Sequence, residues 1–131
     1  MNDLIKTLAL SSSGMKAQAT RLRHVSENIS NADTPGYRRK LVSFQTAPLA
    51  QPGTPALVEA GRVRLDRSDL PMIHDPGHPL ADAAGNYTGS NVDLVIEIAD
   101  ARQAQRSYEA NLKMFDQARQ MTSSLFEILR R

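Results

Sequence analysis

The sequence predicts a mainly α fold with a small β region: long N- and C-terminal helices pairing as a coiled coil, with a short β-hairpin and loops in between. Two observations predict it. All seven prolines lie between Pro35 and Pro79, and six of the seven glycines lie between Gly36 and Gly89. Proline removes a backbone donor and clashes with the preceding turn, so the proline-free ends can run as long helices. Both ends also carry residues at the narrow spacing of a coiled-coil seam, not the broader stripe of a helix on a globular core. The chain divides accordingly into residues 1–33, 34–89 and 90–131.

In the first segment Leu8, Met15, Leu22 and Ile29 recur every seven residues, with Leu4 and Val25 between them and Ser11 and Gln18 in the remaining seam positions. The stripe is thin. Ser11-Ser12-Ser13-Gly14 weakens the helix, since glycine costs about 1 kcal/mol against alanine. Either the first turns fray there, or a close neighbour needs small side chains.

The last segment is stronger. Ser90-Asn91-Val92-Asp93 offers a capping residue and an acidic start that suits the positive end of the helix dipole. Tyr108, Leu112, Phe115, Ala118, Thr122, Leu125 and Leu129 then step by four or three. Arg130 and Arg131 complement the negative end. The rod would be near 58 Å long at ~1.5 Å per residue, against a gyration radius of ~13 Å for a compact 100-residue domain.

The middle reads as short β structure. Leu41 to Phe44 suits a strand, and Ala60 to Asp66 alternates Val63 and Leu65 with Arg62, Arg64 and Asp66. Leu70 to Ile73 is expected to return antiparallel across the 66–69 turn. Residues 45–57 hold three prolines and few bulky apolar groups, the composition of a mobile loop.

The 131 residues fit one ordinary domain, with 16 basic and 14 acidic residues for a net +2. The absence of cysteine removes disulfides, thiolate metal sites and cysteine nucleophiles. No apolar run approaches the ~18 residues of a membrane span, and the N-terminus makes a poor secretory signal. No phosphate-binding loop, dinucleotide fingerprint or nucleophile elbow occurs. His74 and His78 stand four apart near Asp75 and Asp82, but Pro76 and Pro79 forbid the helix that would align them as ligands. Asp66 and Asp69 flank a turn, where aspartate commonly caps its own backbone. His24 reads as a solvated residue beside the seam. The expectation is no catalytic residue, no metal and no cofactor.

Residues 16–40 hold Lys16, Arg21, Arg23, Arg38, Arg39 and Lys40 against Glu27 and Asp33, a local net charge of +4 that leaves the rest at −2. Such a cluster can bind phosphate through counterion release. A nucleic-acid binding module using residues 16–40 is therefore the alternative reading. No stacking aromatics or base-reading helix accompany the cluster, so a solvated or interface face is favoured.

The most informative stretch is Val25 to Tyr37. Asn28 and Asn31 at a helix end can satisfy orphan carbonyls or, in a left-handed conformation, turn the chain. Pro35-Gly36 fits the centre of a type II turn, with glycine supplying positive φ. Thr34, before proline, is pushed extended.

SENISNADTPGYRRK, with Asn28, Ile29, Asn31, Thr34, Pro35, Gly36 and Tyr37, resembles the N-terminal signature of bacterial flagellar rod and hook proteins. The short length, His74-Asp75-Pro76-Gly77-His78-Pro79 and Ser107-Tyr108-Glu109-Ala110-Asn111 resemble the proximal-rod type within that family; the neighbouring FlgB type generally lacks the DPGHP-like segment. The resemblance implies a non-catalytic structural subunit of the proximal rod, the shaft that transmits motor torque. It implies residence in the basal body across the periplasmic space, and passage through the flagellar type III export apparatus without a cleaved signal. Implied partners are rod proteins of the FlgB, FlgF and FlgG types, the FliE-type adaptor and further copies of itself, with no nucleic acid or small-molecule substrate. The assembly interface is then expected on Leu8, Met15, Leu22, Val25, Ile29, Tyr108, Leu112, Phe115, Leu125 and Leu129. The basic tail after the signature turn is expected to meet acidic neighbours.

Overall fold

The computed structural model describes residues 2–48 and 51–131. Helix α1 runs unbroken over Asn2–Ser30 and α2 over Leu94–Arg130. Between them lie β1 (Lys40–Leu41), β2 (Phe44–Thr46), β3 (Val58–Ala60), β4 (Arg64–Leu65), β5 (Met72–His74) and β6 (Asn86–Thr88). The two helices pack along their length as an antiparallel pair: Gly14 faces Asn111, Arg21 reaches Asp100 and Asn28 reaches Glu97. From the Gly14–Asn111 level, α2 outruns α1 by about two turns.

The packing is closest where side chains are smallest. Ser11, Ala17, Val25 and Asn28 are buried on α1, and Glu97, Ala104 and Ala118 are buried on α2. A Cβ added to Gly14 would stand 2.8 Å from the Asn111 side-chain oxygen, so this glycine admits the neighbouring helix. The serine–glycine run is thus a close-approach site within a continuous helix. The larger residues Leu8, Met15 and Leu22 flank the seam, half-buried. A narrow seam of small residues brings the backbones together and leaves the bulky side chains pointing elsewhere.

Helix α1 has a second covered face. Ser13 Oγ accepts the Val58 backbone N–H at 3.2 Å, tying the helix to β3. Ala17 and His24, one heptad apart, line the groove under this β arm. His24 is accordingly buried, 7% exposed, and not solvated as its sequence position suggests.

The arm is one long hairpin with a defect. β1 pairs with β4 (Lys40 with Leu65, Leu41 with Arg64), and β2 with β3 (Phe44 with Ala60, Gln45 with Glu59, Thr46 with Val58). Val42 and Ser43 lie opposite Gly61, Arg62 and Val63, so the register slips by one residue. Such a bulge bends the hairpin and exchanges which faces its side chains take. The strands expected over 41–44 and 60–66 are each interrupted there. The expected loop 45–57 is also shorter, because Gln45 and Thr46 belong to β2; Leu49 and Ala50 lie outside the described residues.

Leu70 to Ile73 does not return along the arm. β5 pairs instead with β6, Met72 with Thr88, Ile73 with Tyr87 and His74 with Asn86. Pro71 has no N–H to offer β4, and the carbonyls of Asp66 and Ser68 are already taken by Arg38 Nη1 at 3.2 and 2.8 Å. The Pro71 carbonyl accepts the Gly89 N–H at 2.8 Å, which closes the base of the β5–β6 hairpin.

The seam generates a direct prediction. Ala104 is fully buried between the helices, so Ala104→Leu overpacks it and destabilises the chain by about 1–3 kcal/mol. Urea unfolding followed by circular dichroism measures this; unchanged stability would mean the helices are not closely apposed there.

Candidate functional site

The signature residues form a joint that fixes the angle at which the β arm leaves the helices. At the end of α1, Asn31 Nδ2 donates to the Glu27 carbonyl at 2.8 Å, which also accepts the Asn31 N–H at 3.1 Å, so this residue closes the last turn with both groups. Thr34 Oγ1 donates to Asn31 Oδ1 at 3.1 Å. The Tyr37 N–H donates to the Thr34 carbonyl at 3.1 Å across Pro35-Gly36, and Gly36 has φ +74°. That is the type II turn, with glycine at the position requiring positive φ. No other residue type among those described adopts positive φ, so Asn31 acts through its side chain and not through a left-handed backbone.

Asn28 is fully buried and makes four contacts. Its Nδ2 donates to the Lys40 carbonyl at 3.0 Å and to Glu97 Oε2 at 3.2 Å. Its Oδ1 accepts the Lys40 N–H at 2.8 Å and the Tyr37 hydroxyl at 2.9 Å. The amide thus pairs with both backbone groups of Lys40 as a neighbouring strand would. One side chain stitches α1, the turn, β1 and α2 together.

Glu97, in the first turn of α2, is the other buried polar anchor. Asp93 caps that turn, its Oδ1 accepting the Val95 N–H at 3.0 Å. Arg39 Nε donates to Glu97 Oε1 at 2.7 Å, and its Nη atoms approach Asp66 at 3.4 Å and Asp100 at 3.8 Å. Asn91 completes the frame: Oδ1 accepts the Arg39 N–H at 2.7 Å, while Nδ2 donates to the Asp66 carbonyl at 3.0 Å. Ser90 Oγ donates to the Ala32 carbonyl.

The electrostatics follow from these partners. Burial pushes Arg39 down, but the Glu97 hydrogen bond and charge, then Asp66, outweigh it and leave the guanidinium above its ordinary value. Burial raises the Tyr37 hydroxyl. The Lys40 ammonium holds Glu27 below its ordinary 4.5, and Glu27 raises Lys40 in return. The Ser68 N–H, then its hydroxyl, hold Asp66 below its ordinary 3.8, with Arg39 adding to the effect.

Two residues of the basic tail, Arg39 and Lys40, therefore find acidic partners inside the chain, while Arg38 rests on carbonyl oxygens. Arg21 bonds Asp100 at 3.2 Å and Gln103 at 3.1 Å. With Arg39 and Lys40 ion-paired and Arg38 on carbonyls, most of the 16–40 cations are engaged internally. That argues against a free phosphate-binding surface. His74 Nδ1 lies 2.9 Å from Asn86 Oδ1, and His78 stacks on Tyr87 with ring centroids 3.9 Å apart. Asp82 Oδ1 accepts the N–H groups of Ala84 at 2.9 Å and Asn86 at 3.0 Å. These side chains serve local turn geometry, and no group of metal-ligating residues converges among the described residues.

Of the expected interface residues, Val25 is buried in the seam, and Leu8, Met15, Leu22, Tyr108 and Phe115 are half-buried. Ile29, Leu112, Leu125 and Leu129 are exposed. The structure adds Glu97, Asn91 and Asp66, which sequence reasoning passed over because their partners lie far away in the chain. Their one sequence signal was proximity to a helix start and a turn. His24 carries both ring nitrogens buried without a hydrogen bond, with Glu27 Oε2 3.7 Å away.

The joint makes two predictions. Glu97→Ala leaves Arg39 and Asn28 half-paired in a buried setting and costs about 3 kcal/mol, whereas Glu97→Gln keeps an acceptor and costs less; urea unfolding of both ranks them. The pH dependence also follows. Glu27 and Asp66 contribute stability that is present above their ordinary values of 4.5 and 3.8 and is lost as pH falls through their lowered folded values. Tyr37 and Lys40 contribute stability present below 10.0 and 10.5 and lost as pH rises through their raised values. Thermal melts should show a plateau between about pH 5 and 9 with a fall on either side; a steady slope across that range would contradict the pairing.

Comparison with known proteins is consistent with this architecture. Residues 8–38 match the family described as flagella basal body rod protein, and residues 83–128 match the flagellar basal body rod FlgEFG protein C-terminal family. The first match contains most of α1 and the signature turn; the second contains β6 and nearly all of α2. The chain is 41% identical to the flagellar basal-body rod protein FlgC of Agrobacterium fabrum, covering 99% of this chain and 98% of that one. It is 33% identical to the FlgC protein of Salmonella typhimurium, over 90% and 92% of the two chains. The Bacillus subtilis FlgC protein is 31% identical over 93% and 95%. With nearly full-length similarity to all three, the chain belongs to the FlgC family of flagellar basal-body rod proteins, structural components and not enzymes.

Proposed function

We propose that the chain is a structural subunit of the flagellar proximal rod whose outward apolar surface is completed by neighbouring subunits. The observation that carries this is the state of α2. Its narrow seam is satisfied by α1, yet its large apolar residues point outward at both ends. Val95 is 77% exposed near its start and Leu129 is 73% exposed near its end, with Leu94, Ile96, Ile98, Leu125, Phe126 and Ile128 also exposed. Contiguous apolar surface of this kind marks an interaction site.

The mechanism is mechanical. Contacts between non-equivalent faces that do not close on themselves build a helical filament. Close-packed interfaces resist deformation, and many acting together carry torque. The joint around Asn28 and Glu97 holds the arm at a fixed attitude, so that force entering the arm reaches the helices. Leu8, Met15, Leu22 and Ile29 flank the seam on α1; with Tyr108, Leu112, Phe115, Leu125 and Leu129 they form the surface offered to neighbours, while Val25 supports it from within.

Those neighbours are rod proteins of the FlgB, FlgF and FlgG types, the FliE-type adaptor and further copies of this chain. In this reading the chain resides in the periplasmic part of the basal body after passage through the flagellar type III export apparatus. No helix among the described residues is long and apolar enough to cross a membrane.

The exposed overhang of α2 supplies the test. Leu129→Asp should leave the chain folded and exported, because the side chain makes no buried contact, yet abolish its incorporation into basal bodies and motility. Fractionation of hook–basal bodies with a swarming assay reads both. Normal swarming would remove the end of α2 from the assembly surface.

A further inference from the structure

The β region carries two exposed surfaces of opposite charge. The first is on the arm, where Arg38, Val63, Arg64, Leu65 and Arg67 line a shallow cleft beside β4. Leu65 is 53% exposed and Val63 38%. Arg64 and Arg67 form no ion pair among the described residues, and Arg38 is held by carbonyl oxygens, which leave its charge uncompensated. β4 pairs only with β1, so its other edge is open.

The second surface is the β5–β6 hairpin. Residues 71–89 contain Asp75 and Asp82 and no lysine or arginine. Met72 is 62% exposed, Leu80 65% and Ile73 39%. Each aspartate uses Oδ1 to accept turn N–H groups, but neither has a cationic partner among the described residues. Within one chain the two surfaces share no hydrogen bond or ion pair among the described residues, although they are adjacent in sequence.

We propose that these surfaces are the two halves of one contact between copies of this chain: the acidic, apolar β5–β6 hairpin of one copy docks on the arginine-lined β4 cleft of the next. The inference rests on the rod-subunit reading and names a contact within it. Leu80 and Met72 meet Val63 and Leu65, while Asp75 and Asp82 face Arg64, Arg67 and Arg38. Exposed ion pairs are individually weak, so the apolar contact supplies cohesion and the charges supply register and exclude wrong pairings. Since the two halves differ, the contact is head-to-tail and propagates from copy to copy.

The absence of cysteine from the chain makes the test clean. A full-length Leu65→Cys/Leu80→Cys chain is expressed in cells lacking the native copy, basal bodies are isolated, and mild oxidation is followed by non-reducing electrophoresis. The expected result is a ladder of dimer and higher species, absent from either single variant. Adding Arg64→Glu/Arg67→Glu should reduce the ladder at least about tenfold. Adding Asp75→Asn/Asp82→Asn, which keeps the turn acceptors and removes only the charge, should also reduce it. A chain present in basal bodies without a ladder would assign the arm to a different neighbour and overturn the contact while leaving the rod reading intact. A ladder indifferent to both sets of charge changes would overturn the charge-matched register. Absence of the wild-type chain from basal bodies would overturn the rod reading and this contact with it.

Discussion

The interaction on which the structure depends is the triad of buried Asn28 and Glu97 with half-buried Arg39. Three segments distant in sequence converge there: the last turn of α1, the strand entry after the signature turn, and the first turn of α2. Asn28 offers its amide to the Lys40 backbone and to Glu97, and Arg39 supplies the countercharge that Glu97 needs when removed from water. A buried carboxylate is costly unless it is both paired and hydrogen-bonded. Here both conditions are met, and they are met only when helix, turn and arm adopt one relative geometry. A joint of apolar side chains would tolerate sliding; this one does not.

The remainder of the architecture follows from how little a chain of this size can bury. Alanine, serine and glycine at the seam let the two helices approach closely, but they bury little apolar area per residue. Helix α1 is shared between two partners, with α2 on one face and the β arm on another. The bulky residues are thereby displaced to flanks and ends, where an assembly can use them. Stability of the single chain rests on a narrow seam and a polar joint, and a broad apolar surface stays exposed. That division suits a rod subunit that assembles with other rod proteins.

Among the residues of the joint, the signature itself was legible and its chemistry only in part. Pro35-Gly36 announced a type II turn because the steric rules are local, and Gly36 adopts the conformation they demand. Asn31 acts within four residues of its partner, again a local matter. Asn28 was placed correctly at a helix end, but its bond to Glu97 spans 69 residues and has no periodic trace. His24 was misjudged for the same reason. A helix position reads as solvated when only one covered face is assumed, and the arm supplies a second. The bulge at Gly61 to Val63 defeated the strand assignment, because strict alternation continues through the sequence while the ladder does not.

The sequence by itself determined the two helices, the position of the turn and the family, since each depends on residue type at short range: where proline is absent, where glycine must be, which residues recur at seven. Tertiary structure alone decided which helix face pairs with which, and that small residues rather than leucines fill the seam. It also decided that β5 pairs with β6 and that Arg39 and Lys40 turn inward onto Glu97, Asp66 and Glu27. Those outcomes are set by competition among distant groups for burial and countercharge. Such a competition is settled only when the whole chain has closed, and no local pattern records its result.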